Sequence, residues 1–168
     1  MIANRQSNYA FQNGKLASTY ASSGSAANYV FPQHRVPIFG YRSAWVQELE
    51  PRFSDLTSLQ MGWDGYNGKP VSFPCASFAA ALLERICVDS VSAPALVPGT
   101  DGTLQIEWHK NNLDIEIDVL GPNNVVAFRF DHELQAETTM HLDNDFSELV
   151  NWIKDLVSKR ANFEAASA

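Results

Sequence analysis

Long hydrophobic runs are missing from this 168-residue chain, and none of its stretches approaches the ~20 consecutive apolar residues that a membrane-spanning helix requires. Cysteine is scarce. Cys75 and Cys87 are the only two, and both fall in one predicted helix, where a rise of about 1.5 Å per residue sets them too far apart to bond. Unbonded cysteines and a polar start without a secretory apolar segment lead us to expect a reducing, cytoplasmic setting. Clustered basic residues are lacking as well. Lys and Arg number 12 against 19 Asp and Glu, so bare phosphate backbone is an unsuitable partner. The templates of common enzymes are absent too: no Gly-rich phosphate loop, no Gly-x-Ser-x-Gly elbow and no His-Glu-x-x-His. His34, His109, His132 and His141 are scattered, and two cysteines in one helix do not make a zinc cluster. We expect neither a cofactor nor a bound metal.

What is present is unevenly distributed. The first 47 residues contain no acid. Residues 101–168 carry five Lys/Arg against thirteen Asp/Glu, a net of −8, whereas residues 1–100 sum to +1. Residues 1–41, rich in Ser, Ala, Asn and Tyr, read as a flexible or loosely docked arm, with Tyr29-Val30-Phe31-Pro32 as one apolar anchor. Residues 42–160 read as a single domain and 161–168 as a tail.

Within that domain the hydrophobic period is first helical and then alternating. Trp45, Leu49, Phe53 and Leu56 fall on one helical face, which Pro51 is expected to kink or divide. Ser72 can cap a second helix that has Pro74 in its first turn and Phe78, Leu82, Leu83 and Ile86 along one stripe. Beyond Pro94 the period becomes two. Leu104, Ile106 and Trp108 alternate with Gln105, Glu107 and His109, and Asn111-Asn112 supplies a two-residue hairpin turn. Leu113, Ile115, Ile117 and Val119 then alternate with Asp114, Glu116 and Asp118. A four-residue loop, Gly121 to Asn124, is expected to set Val119 against Val126, Ile117 against Phe128 and Ile115 against Phe130. A three-residue loop then sets Phe130 against Leu134 and Phe128 against Ala136. Asp145 and Glu148 form a capping-box-like start for a last helix with Phe146, Leu149, Val150, Ile153, Leu156 and Val157 on one side. The expected fold is α+β: two N-terminal helices, then an antiparallel meander of four strands (five if Pro94–Pro98 joins as an edge), with the C-terminal helix packed on one sheet face.

Two constellations are candidates for function. In the expected register Glu107, Asp114, Glu116, Asp118 and Glu137 crowd the outer sheet face, with Glu116 opposite Arg129 and with Asp118 and Glu137 flanking Ala127. Such a face is either solvated, a contact surface for a basic partner such as a nuclease or nucleic-acid-binding protein, or a divalent-metal site. The second is the loop Gly62-Trp63-Asp64-Gly65-Tyr66 with Lys69-Pro70 behind it. There Trp63 and Tyr66 plug the loop into the core, or they stack on a ligand beside Asp64.

That loop, with Pro98-Gly99-Thr100-Asp101-Gly102, Glu107-Trp108 and the Ile115/Ile117 strand, resembles a group of small uncharacterised bacterial and phage-island proteins over roughly residues 45–130. The resemblance implies a bacterial or phage setting and no known chemistry. Taken together, the residues favour a non-enzymatic cytoplasmic binding or inhibitory protein, in the manner of antitoxins, immunity proteins and anti-defence proteins, masking a basic partner. The alternatives are a metal-dependent hydrolase or nuclease using the carboxylate face or Asp64, and an assembly component docking through its N-terminal arm.

Overall fold

A computed structural model describes the backbone of residues 44–166 and the side chains of residues 45–159. The expected arm, residues 1–41, lies outside the described residues. Three helices, α1 (Ala44–Thr57), α2 (Phe73–Ile86) and α3 (Ser147–Ala166), accompany five strands: β1 (Ala95–Pro98), β2 (Leu104–Lys110), β3 (Leu113–Gly121), β4 (Asn124–Asp131) and β5 (Ala136–Leu142). The strands form one antiparallel sheet in the order β1-β2-β3-β4-β5, a simple meander. The fold is therefore α+β, with α3 against one sheet face. Among the described residues no helix is long and apolar enough to cross a membrane.

Local chemistry places the helices. Ser72 caps α2 by accepting from the Cys75 amide at 3.3 Å, and Pro74 sits in the first turn. Pro51 lies inside α1 and does not divide it. Its side chain is exposed, on the side where water can bond the carbonyl that proline leaves without a donor. The expected division into two helices is thus overturned: α1 is one continuous helix through Pro51. Asp145 accepts from the Ser147 amide at 2.9 Å and so opens α3. Glu148 bonds the Trp152 indole at 3.2 Å instead of closing a capping box. α3 also runs on to Ala166, beyond Arg160, where the residue pattern ends it.

One core fills the space between the helices and the inner sheet face. Trp45, Leu49, Phe53 and Leu56 of α1, Leu82, Leu83 and Ile86 of α2, and Leu149, Trp152, Ile153 and Leu156 of α3 pack with Ile106, Trp108, Ile115, Ile117 and Val119. All are at most 3% exposed, and each large side chain so buried contributes roughly 1.5–3 kcal/mol. Polar contacts lock the layers together: the Trp108 indole donates to Ser92 O at 2.9 Å and the Asn111 amide to Leu156 O at 2.9 Å.

The first hairpin has the expected register. Asn111 and Asn112 both take left-handed φ, 56° and 59°, as a primed two-residue turn requires. Trp108 faces Ile115, Ile106 faces Ile117 and Leu104 faces Val119. The second hairpin corrects expectation. Gly121 does face Asn124, but the register shifts between Val119 and Gly121, so Val119 faces Val125, Ile117 faces Ala127 and Ile115 faces Arg129. Leu120, 45% exposed, is the extra residue. A shift of one residue exchanges the two faces of a strand. Val125, Ala127, Arg129 and Asp131 thus point inward, and Val126, Phe128 and Phe130 outward. The third connection is also longer than expected. Asp131 faces Ala136 and Phe130 faces Glu137, and Leu134 stands 75% exposed at the loop tip instead of in a strand.

Candidate functional site

The registers give the outer face as a grid with neighbouring strands about 4.8 Å apart. One row runs His109, Asp114, Phe130, Glu137 from β2 to β5. The next runs Ala95, Glu107, Glu116, Phe128, Thr139 from β1 to β5. The third runs Val97, Gln105, Asp118, Val126, His141. The five expected carboxylates therefore share one face. Glu107, Asp114, Glu116 and Asp118 adjoin on β2 and β3, while Glu137 stands two strands away across an apolar column. Two expected contacts are not made. Glu116 faces Phe128 rather than Arg129, and Asp118 and Glu137 flank Val126 and Phe130, not Ala127. The inward turn of β4 takes Arg129 to the other side of the sheet, where its guanidinium bonds Asp155 at 2.9 Å and lies over the Trp152 ring.

Among the described residues, none of the outer-face side chains belongs to the core, yet Val126, Phe128 and Phe130 are half-buried. The face passes from a block of carboxylates to a column of one valine and two phenylalanines, then to polar β5. Two histidines temper one corner. His109 directs Nδ1 to Asp114 at 2.9 Å and Nε2 to Glu107 at 3.3 Å, and His132 Nε2 meets the second Asp114 oxygen at 2.7 Å. The Asp114 hydrogen bond raises the His109 pKa above its ordinary value, against partial burial and with help from Glu107. Burial opposes ionisation of Asp114, but the hydrogen bonds of His109 and His132 outweigh it and hold the carboxyl low. In the rest of the block Glu116 accepts from the Gln105 side-chain amide at 3.3 Å, and that bond brings no opposite charge. Among the described residues no ion pair reaches Glu116, Asp118 or Glu137. Burial, and then the Glu107 charge, push the Asp118 pKa up. Like charges held directly opposite, as Glu107 and Glu116 are, cost stability.

A flat strand face spaces these carboxylates out, and among the described residues no three His, Cys, Asp or Glu are grouped to hold a metal ion. Burial keeps both cysteines in the thiol form. Burial pushes Cys75 up to about 11 and Cys87 up to about 12, far above the range in which a thiolate attacks.

The Gly62–Pro70 loop closes on itself. Asp64 Oδ1 accepts from the amides of Tyr66 and Gly68, both at 2.9 Å, and these bonds, Tyr66 first, hold its pKa low. A Cβ on Gly68 would stand 2.7 Å from the Asp64 carboxyl carbon, so only glycine lets the carboxylate in. The Trp63 indole donates to Lys69 O at 2.9 Å. Asp64 is thus a brace for the loop, with its donors taken from within it. Tyr66 is 85% exposed and does not plug into the core, contrary to expectation. The loop docks on the turn after β1: the Lys69 amide donates to Thr100 O and the Ser72 amide to Gly102 O, each at 2.9 Å. The two segments therefore form one structural joint.

Sequence reasoning missed the column Val126, Phe128, Phe130 and a cleft of about 650 Å³ at the β1 edge. β1 begins opposite Glu107, so among the described residues no strand pairs with Trp108 to Lys110 on that side. Glu48, Leu49 and Arg52 of α1 form the opposite wall of the cleft. The signal for the column was present in Val119-Leu120, two adjacent apolar residues interrupting a strict alternation, the mark of a bulge. For the cleft there was none, because it depends on where α1 lies. Comparison of the chain with family models, with curated proteins and with solved structures finds no match.

Proposed function

We propose that this is a non-enzymatic binding protein that masks a basic protein partner with the outer face of its sheet. One observation supports the reading above the rest: the carboxylates Glu116 and Asp118, which no ion pair among the described residues reaches, lie directly beside Phe128 and Val126 on a face whose described side chains are not part of the core. Carboxylates would steer a cationic partner and make association salt-sensitive. The half-buried phenylalanines would supply the desolvated anchors that give an interface its lifetime. Glu107, Asp114, Glu116, Asp118 and Glu137 are the proposed contact residues, with Val126, Phe128 and Phe130 among them.

Two tagged variants test this against the unmodified chain in pull-downs from native-host lysate, scored by mass spectrometry. One is Glu107→Lys/Glu116→Lys/Asp118→Lys and the other is Phe128→Ser. The unmodified chain should retain a basic protein that raised salt releases. The charge variant should lose it altogether, and Phe128→Ser should shorten its residence. Equal retention by all three chains, with thermal unfolding unchanged, would refute the reading.

A further inference from the structure

The two sheet edges are protected very differently. β1 is four residues long and ends in Pro98, and Arg52 of α1 donates to Leu96 O at 3.2 Å. β5 is seven residues long, Ala136–Leu142, and mostly exposed. It has no proline, lysine or bulge, three of the devices that normally stop an edge from pairing, and among the described residues β4 is its only strand neighbour.

We infer that β5 pairs antiparallel with β5 of a second copy of this chain, about a two-fold axis through Thr139, joining two five-stranded sheets into one. The strand's own residues point to the second copy. A two-fold at Thr139, its central residue, is the one that pairs all seven residues of the strand. It sets Glu137 of each copy against His141 of the other on the outer face, so that a carboxylate meets an imidazole N–H twice, and it places Thr139 on Thr139. On the inner face it sets Ala136 against Leu142 and Thr138 against Met140, bringing the half-buried Met140 and Leu142 into contact with new apolar or β-branched neighbours. Favourable cross-strand pairs are the unit of sheet stability. The neighbouring register of the same parity, centred on Met140, would instead place Glu137 against Asp143 and leave His141 facing Thr139. An isologous contact of this kind closes on itself and does not propagate into a fibre. It also leaves the outer faces of both copies open; Glu137 belongs to both surfaces, whereas His141 lies outside the proposed contact residues, so His141→Glu is the variant that separates them.

Sedimentation of the full-length chain tests the inference. In the high-micromolar range the unmodified chain should sediment at twice its 18.6 kDa mass. His141→Glu sets like charges against each other twice and should weaken the dimer about tenfold or more. Glu137→Lys, which removes the carboxylate, should do the same. Glu137→Lys/His141→Glu together restores opposite pairs and should return the doubled mass, with thermal unfolding of the monomer unchanged throughout. A wild-type chain that remains at 18.6 kDa, or a dimer that both single variants leave intact, overturns it.

Discussion

The two hairpins that share β3 turn on two residues each, yet one keeps the alternation of its residues and the other breaks it. Asn111-Asn112 puts both turn residues at left-handed φ, and the ladder on either side is regular. In Pro122-Asn123 only Asn123, at φ 55°, is left-handed, because the proline ring fixes its own φ near −65°. A turn with that first residue twists against the right-handed twist of the strands, whereas a primed turn twists with it. The bulge at Leu120 adds local twist and takes up the mismatch. The larger apolar residues of β4 consequently face outward, and the inner face receives Val125 and Ala127 with the pair Arg129 and Asp131. Hydrophobic pattern sets register only where the turn permits.

The largest effect should come from shortening the first turn. Deleting Asn112 leaves a single turn residue, which a hairpin cannot use, so β3 must slip and turn Ile115, Ile117 and Val119 to water. We expect a loss of more than ~4 kcal/mol, seen as absence of a cooperative urea transition.

Next is Asp131→Ala. Asp131 is 4% exposed, bonds Lys159 at 3.0 and 3.1 Å and accepts from the amides of Glu133 and Leu134. Breaking such a buried pair from one side costs about 3 kcal/mol. Burial opposes its charge, but the Lys159 and backbone bonds outweigh that and hold its pKa below the ordinary carboxylate value. Its contribution is therefore present above the unfolded-state pKa and is lost as pH falls through the lower folded-state value. The stability gap between wild type and variant should close on acidification, as read from denaturant midpoints across a pH series.

Deleting Leu120 should do much less than deleting Asn112, about 1–2 kcal/mol. With the bulge gone, Val119 still faces Val125 and the inner rows remain paired, so only the twist mismatch returns. Equal losses in the two deletions would show that the bulge does more than reconcile turn and core.

The smallest effect belongs to Asp118→Asn. Burial and Glu107 raise the Asp118 pKa, so the folded state binds a proton there more tightly than the unfolded one and the ionised group destabilises the fold at neutral pH. The amide should raise the unfolding temperature slightly at neutral pH, and the advantage should vanish in acid.

Local and short-range features were legible in the chain. The three helices follow from apolar stripes at helical spacing and from Ser72 and Asp145 at their starts. The strands from Leu104 to Val119 follow from strict alternation about an Asn-Asn turn, and with them the shared face of Glu107, Asp114, Glu116 and Asp118. The candidate site was half legible. Its charged block lies on the hairpin whose turn enforces the alternation. Its apolar column lies on the strand that a bulge inverts, and there Phe128 and Phe130 are as apolar as any core residue. Tyr66 misled for a related reason, since aromatic character says that a side chain can be buried and not that a cavity awaits it.

By itself, then, the chain determined the class of each segment and the register of its first hairpin, because helix caps, period and a two-residue left-handed turn act over a few residues. The tertiary structure alone decided what the inner face of β4 meets. Val125 and Ala127 are small enough to lie beneath the helices, and Arg129 and Asp131 find Asp155 and Lys159 on α3. Those partners lie 26 and 28 residues further along and are met only when the layers close.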